Sequence, residues 1–190
     1  MNIGRWRRDA LFLGVAALVT ALDQIVKEIV RSSLARGEYW PSEEWIVRIH
    51  HVTNSGAAFG ILQGQAGFLI VTTIVGLVAI VLYYRFPPFQ HRLVPVAVGM
   101  ILGGALGNLI DRIRLGRVTD FIDLPRWPAF NIADSSIVIA VIILVISYAV
   151  LSARRTTDSA QARSPDDIGP GSTGVDGEGG DVPSDDHQQT

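Results

Sequence analysis

The chain has 190 residues, of which 48% are hydrophobic, and its 16 basic and 18 acidic residues give a formal charge of −2. It contains no cysteine, which excludes disulfides, thiolate nucleophiles and cysteine-based metal sites, and it has no basic stripe with interleaved aromatics that would favour nucleic-acid binding. Because the end of the chain from residue 154 is polar, the hydrophobic residues are concentrated before it, which indicates a membrane protein.

Four apolar runs are long enough to cross a bilayer, which takes roughly 17 to 25 helical residues. They cover residues 10–30, 66–84, 93–110 and 135–151. The first run follows three arginines and could be a secretory signal peptide, but no small-residue cleavage site closes it, so a retained helix is preferred. We therefore predict one domain of four membrane-spanning helices.

The positive-inside rule gives no clear orientation. With four spans, residues 1–9, the 85–92 connection and the tail share one side, and they carry half of the sixteen Lys and Arg residues. Only the arginines next to the first and last helices favour cytoplasmic termini. Segments 31–65 and 111–134 would then lie outside the membrane.

The first outer segment contains a strand pattern. Trp45, Val47 and Ile49 alternate with mostly polar neighbours in the two-residue period of a half-buried strand. This predicts a strand within residues 45–53 and a small sheet resting on the membrane surface.

A carboxylate falls within the first span. About thirteen apolar residues, roughly 20 Å of helix, precede Asp23, so it lies inside a hydrocarbon core about 30 Å thick. Lys27 follows one helical turn later on the same face, where the two can pair. Two interpretations remain open, a structural ion pair that snorkels to the outer interface and a role near a substrate.

The third span has glycines at every fourth residue, Gly99, Gly103 and Gly107. Small residues at this spacing form a smooth ridge on which another helix packs closely. We interpret this ridge as a packing surface.

Polar residues gather where the third span ends and the fourth begins. Asn108, Asp111 and Arg112 lie on one side of the third helix, where they could anchor one another or a ligand's backbone. Asp120 and Asp134 then flank the short excursion between the two spans. Asp134 could simply be the N-cap of the last helix, and Asp120 a solvated loop acid. If the loop brings them together, they can share a proton as the two carboxyls of an aspartic protease do.

The same residues are compatible with other functions, each of which meets an objection. Acids inside the membrane also mark transporters, but no internal repeat is present. A serine hydrolase using Ser55 or Ser135 with His50 or His51 lacks the Gly-x-Ser-x-Gly elbow. Adjacent histidines on a strand point to opposite faces, which makes them a poor metal pair. A purely structural membrane protein does not need polar groups concentrated at one end of its helices.

Five ordered motifs resemble signal peptidase II, the lipoprotein signal peptidase of bacteria, along roughly residues 10 to 152. They are DQIVK at 23–27, NSGAAFG at 54–60, GGALGNLIDR at 103–112, GRVTDF at 116–121 and FNIAD at 130–134. The resemblance implies an all-α membrane protein with four transmembrane helices, a small extracytoplasmic β-sheet and both termini in the cytoplasm. It also implies an aspartic endopeptidase that cleaves prolipoproteins just before a cysteine carrying a diacylglyceryl group.

The resemblance also assigns the site residues. It makes Asp120 and Asp134 the catalytic dyad. Substrate-binding or supporting roles are implied for Asn54, Gly56, Asn108, Asp111, Arg112, Asn131, Asp23 and Lys27. No metal or cofactor is expected, and the expected partners are prolipoproteins with diacylglyceryl-cysteine and membrane lipid, without nucleic acid.

The domain organisation follows from these spans. We expect a cytoplasmic N-terminus over residues 1–9, a membrane peptidase domain over 10–153 and a disordered acidic cytoplasmic tail over 154–190, which is too polar to be ordered by burial. The resemblance places the protein in the bacterial cytoplasmic (inner or plasma) membrane as a multi-pass protein, with its active site at the extracytoplasmic face. A monomer is expected.

Overall fold

The computed structural model describes residues 3–41, 44–56, 64–87 and 91–161. These residues form four helices and four short strands. In chain order they are α1 (Ile3–Ser33), β1 (Tyr39–Trp40), β2 (Arg48–Asn54), α2 (Ala66–Arg85), α3 (Val94–Leu115), β3 (Val118–Leu124), β4 (Trp127–Phe130) and α4 (Ile132–Gln161). The predicted class, a four-helix membrane protein with a small sheet, is confirmed.

All four helices are long and apolar enough to cross a membrane. The spanning part of α3 is 67% buried, whereas the corresponding part of α2 is only 6% buried, so α3 is the central helix and α2 exposes its apolar side chains. Helix α1 begins ahead of its apolar run. Helix α4 continues to Gln161, into the segment predicted to be disordered, while residues 162–190 lie outside the described part of the chain.

The glycine ridge of α3 packs against α1, as predicted. A Cβ added at Gly99 or at Gly103 would lie 2.6 Å from a backbone carbonyl oxygen of α1. Only glycine permits two helices to approach this closely. On another side of α3, a Cβ at Gly104 would lie 2.5 Å from the carbonyl oxygen of Ala133 in α4.

The sheet is antiparallel throughout, in the order β1-β2-β3-β4. Strand β3 follows α3 directly, after a left-handed turn at Gly116 with φ of 70°. Strand β4 leads directly into α4. Helices α3 and α4 are therefore joined by a β3–β4 hairpin, which holds the excursion between them in one conformation.

The first predicted strand starts later than its hydrophobic pattern indicated. Strand β2 begins at Arg48, and Trp45, Ile46 and Val47 precede it with exposed side chains. The pairing of β1 with β2 reaches only to Ile49, so these apolar residues have no ladder partner and their alternation did not mark a strand. Between Ile49 and Val52 the register with β3 shifts by one residue, as in a β-bulge.

Candidate active site

Six of the residues singled out from the sequence line one cavity of about 610 Å³. They are Asn54, Gly56, Asn108, Arg112, Asp120 and Asp134. Asp120 lies in the middle of β3 and Asp134 in the first turn of α4. The β3–β4 hairpin thus brings both acids to the same cavity.

Asn54 at the end of β2 holds one oxygen of Asp120. Its Nδ2 donates to Asp120 Oδ2 at 3.2 Å, and its Oδ1 accepts from the backbone N–H of Gly56 at 2.9 Å. Because the Gly56 N–H engages the amide oxygen, the amide nitrogen is the atom turned towards the carboxylate. In the sheet, Asn54 of β2 pairs with Val118 of β3, two residues before Asp120. This register brings the Asn54 side chain within reach of Asp120.

Asn131, rather than Asp134, is the N-cap of α4. Its Oδ1 accepts from the backbone N–H of Asp134 at 3.0 Å, and its own N–H donates to Asp134 Oδ2 at 3.4 Å. This reciprocal pair is a capping box in which Asp134 occupies the third helical position. The interpretation of Asp134 as a simple N-cap was therefore wrong, since the cap is three residues earlier.

The Asn131 side chain also reaches the other acid. Its Nδ2 donates to Asp120 Oδ1 at 2.7 Å, and the residue is fully buried. One asparagine therefore contacts both Asp120 and Asp134. It fixes the strand that carries the first acid relative to the helix that carries the second.

Asn108 of α3 orients Asp134 from the opposite side. Its Nδ2 donates to Asp134 Oδ1 at 2.8 Å, while its Oδ1 accepts from Lys27 Nζ at 3.0 Å and from Asn131 Nδ2 at 3.2 Å. With two donors on the amide oxygen, the NH₂ group of Asn108 can only face the carboxylate.

Asp23, Lys27 and Asp111 form a buried ionic cluster behind the cavity. Lys27 Nζ lies 2.8 Å from Asp23 Oδ2 and 3.3 Å from Asp111 Oδ2. At most 1% of any of these side chains is exposed. The pair of Asp23 and Lys27 therefore does not snorkel to the interface, and none of the three residues lines the cavity.

Each acid of the cluster holds the backbone just ahead of a cavity acid. Asp23 Oδ1 accepts from the N–H of Ala133, the residue before Asp134, at 3.0 Å. Asp111 Oδ2 accepts from the N–H of Thr119, the residue before Asp120, at 3.0 Å. An anion at the first turn of α4 also interacts favourably with the helix dipole. Through these two bonds, Lys27 is linked to the placement of both cavity acids.

Burial raises the pKa of Asp120 from 3.8 to about 7. The charge of the Asp134 carboxylate contributes to this rise in the pKa, while the hydrogen bonds from Asn54 and Asn131 and the charge of Lys27 act in the opposite direction. A carboxyl that desolvation and a like charge keep protonated near neutral pH can act as a hydrogen-bond donor or acid.

The remaining wall of the cavity is mainly apolar. It consists of Val118, Trp127, Pro128, Ala129, Phe130, Ile137, Val138 and Ile139, together with Ser135. Trp127 and Val138 are exposed, so the apolar wall continues onto the outer surface of a spanning helix. Arg112 contributes a cation to the polar half of the cavity.

Sequence reasoning missed three supporting residues, Gln24, Arg31 and Thr119. The side chains of Gln24 and Arg31 reach Asp111 Oδ1 at 3.2 and 3.4 Å, and Arg31 also donates to Thr119 Oγ1 at 3.1 Å. The four-residue spacing of Asp23, Lys27 and Arg31 could have revealed Arg31, because it places all three on one face of α1.

The residues of the alternative serine hydrolase are not assembled. His50 stacks on Tyr39, and His51 Nδ1 lies 2.8 Å from the carbonyl oxygen of Leu34. Ser135 lines the cavity, but its hydroxyl donates to the Asn131 carbonyl oxygen at 2.9 Å. Neither histidine is among the described residues that line the cavity.

Comparisons with known proteins all find the same family. The profile of the family described as signal peptidase (SPase) II matches residues 15–150. The lipoprotein signal peptidase of Moorella thermoacetica is 42% identical over 133 residues, covering 70% of this chain and 89% of the relative. That of Caldanaerobacter subterraneus is 43% identical over 132 residues, covering 68% and 90%.

Solved structures show the same similarity. A bacterial membrane enzyme determined by the in meso method at 2.3 Å resolution superposes with a TM-score of 0.70 and 34% identity, covering 75% of this chain and 90% of that one. A second, at 1.9 Å resolution, gives a TM-score of 0.66 and 35% identity, with coverage of 72% and 91%.

Proposed function

This chain belongs to the signal peptidase II family, and from that premise we propose that it is an aspartic endopeptidase that removes the signal peptide from prolipoproteins. Its proposed substrate carries a diacylglyceryl group on a cysteine. The cleaved bond is the peptide bond on the N-terminal side of that cysteine.

The observation that carries this proposal is the environment of the two cavity acids. Asp120 and Asp134 reach one cavity from different elements, and within the described residues their hydrogen-bond donors are backbone and asparagine N–H groups. Amide donors orient a carboxylate without holding it in the ionised form as firmly as an ion pair does. Such a pair can keep one proton between its two members.

The proposed reaction needs only this pair and a water molecule. One carboxylate removes a proton from water, and the water oxygen attacks the carbonyl carbon of the peptide bond. The protonated partner donates its proton to the carbonyl oxygen, which gives a tetrahedral diol. The diol then collapses, a proton passes to the amide nitrogen, and the carbon–nitrogen bond breaks. No covalent intermediate with the protein forms.

The apolar wall of the cavity suits the lipid part of the substrate. Trp127 of β4 and Val138 of α4 extend this wall to the surface that faces lipid in a membrane-spanning helix. A diacylglyceryl chain can remain in the bilayer beside α4 while the peptide enters the polar half of the cavity. Arg112 is then available to donate hydrogen bonds to backbone carbonyl groups of the peptide.

The proposed topology places both termini in the cytoplasm and the cavity at the extracytoplasmic face of the bacterial cytoplasmic membrane. Residues 10–153 form the peptidase domain in this proposal. The tail is dispensable, so a protein that ends after Gln161, the last residue of α4, should cleave as the parent does.

The proposal is tested with the full chain purified in detergent and a prolipoprotein whose cysteine does or does not carry the diacylglyceryl group. We expect one cut directly before the modified cysteine, identified from the product masses, and little cleavage of an otherwise identical precursor with Cys→Ser. Equal cleavage of both precursors, or a cut elsewhere, would rule out the proposed specificity.

A further inference from the structure

A second cavity, of about 440 Å³, lies at the other end of the helices. It is formed by the start of α1, the end of α2 and the start of α3. Its walls are Arg7, Arg8, Leu11, Tyr84, Pro87, His91, Arg92, Val94 and Pro95. Arg7 precedes Asp23 by sixteen residues of continuous helix, or about 24 Å, so this basic cleft is separate from the candidate active site.

Positive charge dominates the basic cleft. Arg7, Arg8 and Arg92 all line it. The nearby acid is Asp9, which lies 3.8 Å from Arg8 Nε and accepts a hydrogen bond from the Tyr84 hydroxyl at 2.5 Å. One carboxylate therefore balances only part of the charge of three guanidinium groups.

Several donors in the basic cleft lack an acceptor. Arg8 Nε is buried without a hydrogen-bond partner, and within the described residues neither Arg7 nor Arg92 makes a hydrogen bond or an ion pair. His91 Nδ1 accepts from the N–H of Leu93 at 3.3 Å, so its proton lies on Nε2, which can donate. The buried Arg8 Nε is costly without an acceptor, whereas Arg7 and Arg92 are exposed and can turn towards a bound anion. An anion with several oxygen atoms can accept from all three.

The start of α3 adds to the attraction for an anion. Val94 and Pro95, in its first turn, form one wall of the basic cleft. The N-terminus of a helix carries a partial positive charge that favours negatively charged groups. With the guanidinium groups, this makes the cleft suited to a phosphate.

We propose that the basic cleft binds the phosphate headgroup of an anionic phospholipid. The cleft lies at the ends of membrane-spanning helices, where phospholipid headgroups are found, and basic pockets between such helices are a known mode of headgroup recognition. Leu11 and Val94 give it an apolar side on which an acyl chain can lie. This site is independent of the proposed peptidase reaction.

The test is native mass spectrometry of the full chain in detergent, titrated with dioleoylphosphatidylglycerol or with dioleoylphosphatidylcholine. The parent should bind the anionic lipid about thirtyfold more tightly than the zwitterionic one, because each of two arginines at the headgroup contributes about fivefold. A double variant, Arg7→Gln with Arg92→Gln, should lose this preference. The control, Arg5→Gln with Arg85→Gln, removes the same charge from exposed residues that do not line the cleft, and it should keep the preference.

Three results would overturn the proposal. The first is equal binding of the two lipids by the parent. The second is an equal loss in the double variant and its control, which would reveal only a general surface charge effect. The third is full displacement of the anionic lipid by inorganic phosphate at a comparable concentration, which would show a site for free phosphate. If the double variant does not fold, Arg92→Gln alone, just before α3, should weaken anionic lipid binding about fivefold.

Discussion

Two pairs of aspartates lie within the same membrane domain and differ in what surrounds them. Asp23 and Asp111 share the Lys27 ammonium group, and each accepts a backbone N–H. Asp120 and Asp134 have neighbouring amide donors within the described residues and line an open cavity. The residue type is the same, but Asp134 is only half-buried whereas the other three are buried. The partners and the contact with the cavity therefore decide what each pair can do.

One pair of aspartates supports the other. A carboxylate that is ion-paired and hydrogen-bonded to its neighbours fixes the structure around it. A carboxylate that is oriented by amides and faces a cavity can exchange a proton with a bound molecule. The first pair holds the backbone at Ala133 and Thr119, and so positions the second.

The largest effect on stability is expected from Lys27→Met. Lys27 is the only lysine in the chain. Its loss leaves the buried Asp23 without a cation among the described residues and leaves Asp111 with Arg31 alone, at 3.4 Å. Breaking a buried ion pair in this way lowers the free energy of unfolding by about 3 to 5 kcal/mol. Thermal unfolding in detergent measures the change, with Arg36→Met, which removes an exposed cation, as control. Equal melting of the two variants would show that the cluster does not hold the fold together.

The ionisation of Asp120 is expected to change the free energy of unfolding with pH, by up to about 4 kcal/mol. Its pKa is about 7 in the folded protein and 3.8 in the unfolded chain, so folding stability falls as pH rises from about 4 to about 7. Asp120→Asn has no such ionisation. The Tm of the variant relative to the parent should therefore be higher at pH 8 than at pH 4. A difference in Tm that does not change with pH would contradict the assigned environment of Asp120.

The same ionisation should appear in the activity. The cleavage rate is expected to fall as pH rises above about 7, because the pair then loses the proton that one member must donate. A rate that stays flat to alkaline pH would mean that no such proton is required.

Gly107→Ala is expected to lower the free energy of unfolding by an intermediate amount. A Cβ at Gly107 would lie 2.5 Å from Asp23 Oδ2, so a methyl group there pushes the carboxylate away from Lys27 or from the start of α4. Overpacking of this kind costs about 1 to 3 kcal/mol. Gly14→Ala, where nothing lies within 4 Å, is the matched control and should be neutral or slightly stabilising. Similar Tm values for the two variants would remove the link between the glycine ridge and the cluster.

The smallest effect is expected from Arg31→Gln. Arg31 pairs with Asp111 at 3.4 Å and with Glu28 at 2.8 Å, but it is partly exposed and Lys27 already neutralises Asp111. The expected loss in the free energy of unfolding is about 1 kcal/mol or less. If thermal unfolding shows that it equals the effect of Lys27→Met, the cluster depends on both cations and not mainly on the lysine.

The sequence predicted the elements well but not the contacts between distant residues. Hydrophobic runs located the four spans. The residues alone left open whether Asp120 and Asp134 come together, and only the family resemblance implied that they form a pair. The contacts of Asp23 with Ala133 and of Lys27 with Asn108 join residues 110 and 81 positions apart. They depend on how far each helix is shifted along its neighbour, which periodicity does not determine.

Some local residue patterns were also compatible with more than one structure. Asp134 and Asn131 are both good helix caps, and only the position where α4 begins shows that Asn131 takes this role. Trp45 and Val47 alternate like strand residues, yet they lie outside the ladder because no neighbouring strand reaches them. A residue pattern indicates which secondary structure a segment can form. The neighbouring segments with which it pairs or packs decide which one it forms.

The proposed catalytic role of Asp120 and Asp134 is tested most directly by measuring cleavage of a diacylglyceryl-modified prolipoprotein by Asp120→Asn and Asp134→Asn. Asp123→Asn, on the same strand as Asp120 but outside the cavity, serves as control. Both cavity variants should remain folded, as judged by Tm, and cleave about two to four orders of magnitude more slowly than the parent, while the control retains activity. Cleavage at the parent's rate by either cavity variant would contradict the proposed role of the pair.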